Sequence, residues 1–190
     1  MNFWNFKAFV YQKARRLPGF HQILQAEIGR IKALAEQLPT PAMVLDIGVG
    51  TGATQVFDLK TVSITGIDLS YNMLQQSARL HPELTLVQAN ATQLPIQTGC
   101  IERIHCIGLT EYLADPVPLL DEMNRVLKQG GYCIITLAPK SFLNRLRLVW
   151  GSRLYLRSRA DWERQTLKLN WNLIREYRTL LQIQLLYQKK

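Results

Sequence analysis

Residues 43–52 read MVLDIGVGTG, and this stretch decides the fold. Its apolar first half predicts a β-strand, with Asp46 close to the end. Gly48, Gly50 and Gly52 then predict a tight turn whose bare backbone a ligand can approach closely. A helix that begins after such a turn presents its free N–H groups to the same ligand. Glycines at this spacing also satisfy a loose dinucleotide-binding pattern, so the turn alone does not identify the ligand and the other motifs of the chain are needed.

Short β-branched runs alternate with helical stretches in the middle of the chain. The runs are MVLDIG, VSITGID, LTLVQAN, RIHCIG and YCIITLA. We expect helices between them at residues 53–59, 71–80 and 117–128. Alternation of this kind predicts an α/β fold with a parallel sheet and crossover helices.

Polar residues stand where the second, third and fourth of these strands end. Asp68 closes the second strand, where a carboxylate beside the glycine turn can accept both ribose hydroxyls of an adenosine. Asn90 follows the third strand, within reach of an adenine edge, and Glu111 and Tyr112 follow the fourth. The ordered set is far more specific than any one of its members.

In this order, the motifs resemble those of the class I S-adenosylmethionine-dependent methyltransferases, in particular the branch that acts on small molecules, lipids and quinones. The resemblance extends over residues 44–139, about half of the chain. It implies a Rossmann-like three-layer α/β sandwich with a seven-stranded, mostly parallel sheet and an antiparallel last strand, for which residues 181–187 are the candidate. It also implies S-adenosylmethionine as cofactor and direct in-line methyl transfer to a small-molecule or lipid-like acceptor, without a metal.

The same resemblance implies roles for individual residues. The residues that would bind the methionine moiety, the ribose, the adenine and the sulfonium end of the cofactor are Asp46, Gly48, Gly50, Asp68, Leu69, Asn90, Ala91 and Ile107. Glu111 and Tyr112 would face the substrate, and Glu111 could assist deprotonation of the acceptor. Two positions depart from the pattern: Asn90 stands where many relatives have aspartate, and Tyr112 stands where many have histidine.

Other interpretations of these residues stay open. Glu111 could be a solvated residue at the start of a helix, and Asn90 could simply begin a turn. Tyr112 suits the wall of a pocket better than proton transfer, because an unshifted phenol is protonated at pH 7. His105 lies in an apolar strand and is expected in the core. For the whole chain, the alternatives are a non-catalytic methyltransferase-like binding module, an RNA methyltransferase and a nicotinamide-dinucleotide oxidoreductase.

The end of the chain is strongly basic. Residues 140–190 contain twelve Lys and Arg but three Asp and Glu, whereas residues 42–139 carry a net negative charge. Several apolar residues share one face at helical spacing, with arginines between them: Phe142, Leu143, Leu146, Val149, Trp150 and Leu154. This pattern predicts a helix that covers the sheet or the pocket, or one that contacts an anionic membrane surface. Nucleic acid is a less favoured partner, because no RNA-binding motif is visible.

The length of 190 residues predicts a single domain. We expect a helical cap over residues 1–41, broken at Pro18, then a cofactor-binding core over residues 42–139 and a closing segment over residues 140–190. Three cysteines without the paired spacing of a zinc site indicate reduced thiols and a cytoplasmic location, with peripheral contact at the inner face of a membrane as an extension. No apolar stretch approaches the ~20 residues that span a bilayer.

Overall fold

A seven-stranded sheet lies at the centre of the residues that the structure, a computed structural model, describes: 18–52, 62–149 and 154–190. Its strands are β1 (Met43–Ile47), β2 (Ser63–Asp68), β3 (Thr85–Gln88), β4 (Ile101–Cys106), β5 (Leu127–Leu137), β6 (Trp171–Arg178) and β7 (Ile183–Lys189). The helices are α1 (Pro18–Glu36), α2 (Tyr71–Leu80), α3 (Val117–Val126), α4 (Phe142–Val149) and α5 (Arg159–Thr166), with a 3₁₀ turn at Thr110–Tyr112.

The strand order is β3-β2-β1-β4-β5-β7-β6. The first five strands of this order are parallel, and β7 runs antiparallel between β5 and β6. This confirms the mostly parallel sheet and the antiparallel last strand, which begins two residues later than the sequence predicts. The chain adds strands outward from β1 on one side and then crosses to β4 on the other. The strand order therefore reverses between β1 and β4, and the carboxyl ends of these strands are where ligands bind in sheets of this kind.

Helices cover both faces of the sheet and complete the three layers. Leu119, Met123 and Trp162, from α3 and α5, pack with one set of strand residues. Ile31 and Leu34 of α1 pack on the opposite face with residues such as Ile134 and Leu186. Because both faces are covered, Val44 to Ile47 of β1 are all buried, which explains their nearly continuous apolar run.

Buried charged residues fix α1 to the sheet. Arg103 of β4 is 1% exposed and donates from Nη1 to the carbonyl oxygen of Ala35 (3.1 Å) and from Nη2 to that of Pro39. Burial lowers the pKa of Arg103 to about 10. Nearer the start of α1, Glu27 Oε1 accepts hydrogen bonds from Thr179 Oγ1 (2.7 Å) and from the backbone N–H of Leu181 (3.1 Å). The helix is thus held at both the β4 and the β6–β7 sides.

The structure confirms one predicted helix and corrects the end of another. The helix at residues 71–80 is confirmed, and the Oγ of Ser70 caps it by accepting from the N–H of Met73 (3.4 Å). The predicted end of α3 at residue 128 is wrong, because Leu127 is already extended and pairs with Ile101 as the first residue of β5. The helix expected at residues 53–59 and the first part of the N-terminal cap lie outside the described residues, as does Trp150.

Two elements near the end of the chain have no counterpart in the sequence-based expectation. Strand β6 lies at the edge of the sheet, where Asn172 to Arg175 are exposed and an irregularity between Leu173 and Arg175 breaks the alternation. Helix α5 is mostly polar, but Ser158 and Asp161 form a capping box and Trp162 is fully buried.

Two glycines allow a test of the packing around β2. A Cβ atom on Gly66 would lie 2.9 Å from Leu86 Cδ2 and 3.0 Å from both γ-carbons of Val49. We expect Gly66→Ala to lower the free energy of unfolding by about 1–3 kcal/mol, because Val49 is buried and the half-buried Leu86 packs in the same apolar cluster. A Cβ on Gly29 in α1 would have no neighbour within 4 Å in residues 18–52, 62–149 and 154–190, so Gly29→Ala is expected to raise the free energy of unfolding by about 0.5–1 kcal/mol. Urea titrations measure both; a Gly66→Ala protein as stable as the parent would contradict this packing.

Candidate functional site

The loops that follow the first four strands line up along one edge of the sheet. Strand pairing places Ile47 beside Ile67, Asp68 beside Gln88, and Asp46 beside His105. The glycine turn, the Asp68 segment, the Asn90 turn and the turn after β4 consequently lie along the carboxyl edge, around the point where the strand order reverses.

The glycine turn is held against β2 and leaves one position open. Gly48, Gly50 and Gly52 all have positive φ, at 76°, 56° and 74°. The N–H groups of Gly48 and Val49 both donate to the carbonyl oxygen of Ile67, at 2.7 and 3.0 Å. These bonds tie the start of the turn to the end of the neighbouring strand.

The three glycines differ in what surrounds them. A Cβ on Gly52 would lie 2.6 Å from His81, and a Cβ on Gly48 would lie 3.2 Å from the side chain of Leu109. Close packing against other parts of the protein therefore explains why both positions are glycine. Among the described residues, a Cβ on Gly50 would meet nothing nearer than the carbonyl oxygen of Gly48, at 3.9 Å. Backbone at Gly50 is thus open to a ligand.

The Asp68 carboxylate is oriented by backbone donors. Its Oδ2 accepts from the N–H of Gly50 (2.9 Å) and its Oδ1 accepts from the N–H of Ser70 (2.8 Å). Burial raises the pKa of Asp68, and hydrogen bonds from Ser70, Gly50 and Leu69 oppose that shift. Each oxygen can accept another hydrogen bond. A ligand with two hydroxyl donors would therefore find a carboxylate already in place.

Apolar and amide groups flank this carboxylate. Leu69 is 59% exposed, a large apolar surface directly beside Asp68. Asn90 is exposed, and its Oδ1 accepts from the N–H and the Oγ1 of Thr92, both at 3.0 Å. The side chain of Asn90 therefore forms a turn, as one of the interpretations of the sequence expects. Ala91 packs against the main core cluster.

Two buried carboxylates lie near the end of β4. Asp46 is 2% exposed and Glu111 is 3% exposed. Burial raises the pKa of the Cys106 thiol, and the charges of Asp46 and Glu111 raise it further, so both carboxylates are within electrostatic reach of this thiol. The burial of Glu111 excludes the interpretation of a solvated helix-start residue. Tyr112 beside it is half-buried.

His105 in β4 and Ile107 just after this strand belong to the core. His105 is 2% exposed, and burial lowers its pKa to about 3, which keeps the imidazole neutral at physiological pH. The expectation of a core histidine is confirmed. Ile107 is 8% exposed and packs with Ile31 and Leu34 of α1, so the predicted sulfonium neighbour also connects the site to the cap helix.

Two residues that the sequence did not single out shape the turn after β4. Thr136 Oγ1 accepts from the N–H of Gly108 (2.7 Å), and its carbonyl oxygen accepts from Thr110 Oγ1 (2.8 Å). Arg157 is 7% exposed and donates to the carbonyl oxygens of Thr110 (2.8 Å), Leu113 and Ala114 (3.0 Å). An arginine from the basic segment thus holds the turn that carries Glu111 and Tyr112.

The environment of Arg157 is charged and open on one side. Burial lowers the pKa of Arg157, while Asp115, Glu111 and Asp161 act in the opposite direction. A cleft of about 500 Å³ adjoins it, with Asp121, Asp161, Arg164 and Lys168 among the lining residues. Such a lining suits polar groups.

Comparison with known proteins identifies the fold of this site. A family model described as "Methyltransferase domain" matches residues 45–135, which include the glycine turn, Asp68 and the turn after β4. Residues 45–135 form a methyltransferase domain of the class I S-adenosylmethionine-dependent type. The resemblance inferred from the sequence motifs is thereby confirmed.

Individual relatives extend this family assignment. The chain is 37% identical over 98 residues to a chloroplastic 2-methyl-6-phytyl-1,4-hydroquinone methyltransferase from Arabidopsis thaliana, covering 48% of this chain and 29% of the relative. It is 30% identical over 173 residues to a malonyl-(acyl-carrier protein) O-methyltransferase from Alcanivorax borkumensis, covering 82% and 59%. The chain thus spans less than two thirds of the length of these curated relatives.

A solved methyltransferase shows the same fold at low sequence identity. The magnesium protoporphyrin IX methyltransferase of Synechocystis PCC 6803, solved with bound S-adenosylhomocysteine, matches 100% of this chain and 96% of its own with a TM-score of 0.80 at 16% identity. The seven-stranded methyltransferase sheet therefore accommodates sequences that share few residues.

The residues of the candidate site fit the cofactor of this family. Open backbone at Gly50, two accepting oxygens on Asp68 and the exposed side chain of Leu69 suit a glycine-turn contact, a ribose diol and a flat base. The carboxylates of Asp46 and Glu111 add negative charge, which suits a cationic ligand.

Arg157 allows a test of how the turn after β4 is held. Arg157→Gln removes the donor from the buried carbonyl oxygen of Thr110 and from the part-buried ones of Leu113 and Ala114, so we expect the free energy of unfolding to fall by about 3 kcal/mol. Arg164 is 72% exposed and paired with Asp161, and Arg164→Gln is expected to change stability by no more than about 0.5 kcal/mol. Urea titrations of the two proteins provide the comparison. Equal effects would show that Arg157 is not the clamp described.

Proposed function

We propose that this chain binds S-adenosylmethionine at the carboxyl edge of β1 to β4 and transfers its methyl group to a small-molecule or lipid-like acceptor. The observation that carries the proposal is the Asp68 carboxylate, held by the N–H groups of Gly50 and Ser70 beside open glycine backbone. A carboxylate in this position accepts the two ribose hydroxyls as charge-assisted hydrogen bonds.

The other predicted residues surround that anchor. Gly48 and Gly50 would contact the methionine moiety through their backbone, with Asp46 beneath it. The exposed side chain of Leu69 would cover one face of the adenine and thereby become buried. Asn90 and Ala91 would lie at the adenine edge; because the oxygen of Asn90 is used in its own turn, its amide nitrogen and the local backbone are the groups available.

The chemistry requires little covalent participation from the protein. The bound cofactor supplies a methyl group that its positively charged sulfur already activates. The residues of this chain hold the two reactants in line and exclude water, which is where most of the rate gain of such a transfer arises. Buried Ile107 would border the reacting methyl, and Tyr112 would line the acceptor pocket.

Glu111 is the candidate for proton transfer. Its position in the Thr110–Tyr112 turn, held by Arg157 through the carbonyl of Thr110, would present it to the acceptor. An acceptor that is a phenol or an enol-like carbon loses a proton during transfer, and a nearby carboxylate could take it. Because Glu111 is 3% exposed, this proton transfer requires an acceptor that reaches into the turn.

The names of the relatives support a small-molecule acceptor class. One relative is named for a phytyl-substituted hydroquinone and the other for a malonyl group on a carrier protein. Both acceptors join a compact polar reacting group to a larger carrier. The basic and apolar residues 140–190 favour an acceptor with an apolar tail over a nucleic acid.

Cofactor binding can be tested with two glycines of equal backbone strain. Gly50 and Gly99 have φ of 56° and 65°, and within the part of the chain that the structure describes a Cβ on either has no neighbour closer than 3.9 Å. Gly50→Ala and Gly99→Ala should each cost about 1–2 kcal/mol of stability through the left-handed backbone. Only Gly50→Ala places a methyl group where the cofactor would lie, so its affinity for S-adenosylhomocysteine should fall at least about tenfold by titration calorimetry.

The parent protein provides the reference for this experiment. A saturating ligand at about 100 times its dissociation constant stabilises the fold by about 2.7 kcal/mol, which thermal melting detects. A rise with NADH and none with S-adenosylhomocysteine would instead support an oxidoreductase. Asp68→Ala is a less clean variant, because it also removes the acceptor of two backbone N–H groups that shape the loop.

Methyl transfer itself is tested with methyl-labelled S-adenosylmethionine and three acceptors: a prenylated hydroquinone, a soluble catechol and total RNA. We expect label in the prenylated hydroquinone above that in the catechol, because an apolar tail adds binding area. Label in RNA would favour the RNA methyltransferase alternative. Cofactor binding without transfer to a wider acceptor panel would leave a non-catalytic binding module.

A further inference from the structure

Exposed apolar side chains gather at the end of the sheet formed by β5, β7 and β6. Phe142 is 75% exposed, Leu143 is 40% exposed and Leu180 is 61% exposed. Phe142 and Leu143 begin α4, and Leu180 lies in the turn between β6 and β7. These three residues are called the apolar edge patch.

A buried asparagine holds the two parts of the patch together. Asn144 has no exposed surface, and its Nδ2 donates to the carbonyl oxygens of Pro139 and Leu181, both at 3.0 Å. The first turn of α4 therefore faces the protein with a polar residue and faces solvent with Phe142 and Leu143. At this turn the interpretation of a covering helix with a buried apolar face is wrong.

An open groove adjoins the patch on the side of α1. Its volume is about 560 Å³, and it lies between α1 and the β6–β7 turn. Apolar residues and two arginines line it: Ile23, Ala26, Arg30, Arg178 and Leu180. The hydrogen bonds from Thr179 and Leu181 to Glu27 keep the turn and the helix in place on either side. An apolar chain with an anionic headgroup suits this combination.

The surroundings of the patch are positively charged. Arg145 follows the patch on α4 and is exposed, and Arg178 is 69% exposed. The segment 140–190, to which the patch belongs, contains twelve basic and three acidic residues. An apolar surface with basic residues around it attracts an anionic leaflet and then inserts its side chains at the lipid boundary.

We infer that the apolar edge patch docks on an anionic lipid bilayer. Among the described residues, no helix is long and apolar enough to cross a membrane. The β6–β7 turn lies at the end of β5 where Leu137 pairs with Ile183, which is the same carboxyl edge that carries the glycine turn and Asp68. A protein docked in this way meets an apolar acceptor on the side of its cofactor site.

Two leucines of equal exposure provide a matched test. Leu180 is 61% exposed in the patch. Leu80 is 60% exposed at the end of α2, which packs beside β2 and β3 at the other end of the strand order. Sedimentation with phosphatidylglycerol-containing vesicles at low and moderate salt measures binding, with phosphatidylcholine vesicles as the neutral control. We expect Leu180→Glu and Phe142→Glu each to lower the partition coefficient about tenfold or more, and Leu80→Glu to leave it near that of the parent.

Charge is tested separately with Arg145→Glu, which should weaken binding to anionic vesicles and flatten its dependence on salt. Circular dichroism melts establish that each variant is folded. Failure of the parent to bind anionic vesicles, equal binding to neutral ones, or equal losses in Leu80→Glu and Leu180→Glu would overturn the inference. Vesicle binding needs neither cofactor nor acceptor, so its failure is distinguishable from failure of the proposed methyl transfer.

Discussion

The candidate site depends on the hydrogen bonds that the Asp68 carboxylate accepts from two backbone N–H groups. This carboxylate joins the end of β2 to the turn after β1 through Gly50 and to the start of α2 through Ser70. Burying a carboxylate is unfavourable, and the raised pKa of Asp68 shows that the backbone donors do not fully offset this cost. Hydroxyl donors from a ligand would complete its solvation, so the same interaction that shapes the loop prepares it for binding.

Local patterns predicted much of the fold. The strands around the glycine turn, helix α2 and the antiparallel β7 each carry a signal within a few neighbouring residues. The end of α3 was misplaced because Leu127 serves a strand pairing with Ile101 that helical spacing does not reveal. Strand β6 was missed because an edge strand with an irregular register buries neither face regularly.

In the candidate site too, some residues could be predicted from local sequence and others could not. Asp68 and the glycines belong to short motifs, so the sequence placed them at the sheet edge. The burial of Glu111 and the clamp by Arg157 depend on residues more than 40 positions apart, and no spacing rule connects them. Thr136 has no such motif either, since its role arises only once β5 lies beside β4. Long-range contacts of this kind become visible only in the folded chain.

The reversed direction of β7 makes the carboxyl and amino edges of the sheet differ in the segments that they carry. Because β7 runs against β5, the turn that precedes it lies at the same carboxyl edge as the glycine turn and Asp68; a parallel strand would have placed that turn at the amino edge. The amino edge carries none of these segments, and at residues 97–99 it presents an exposed loop. A fluorophore or surface tether attached at residues 97–99 would leave the carboxyl edge facing outward, so this loop is suited to oriented immobilisation.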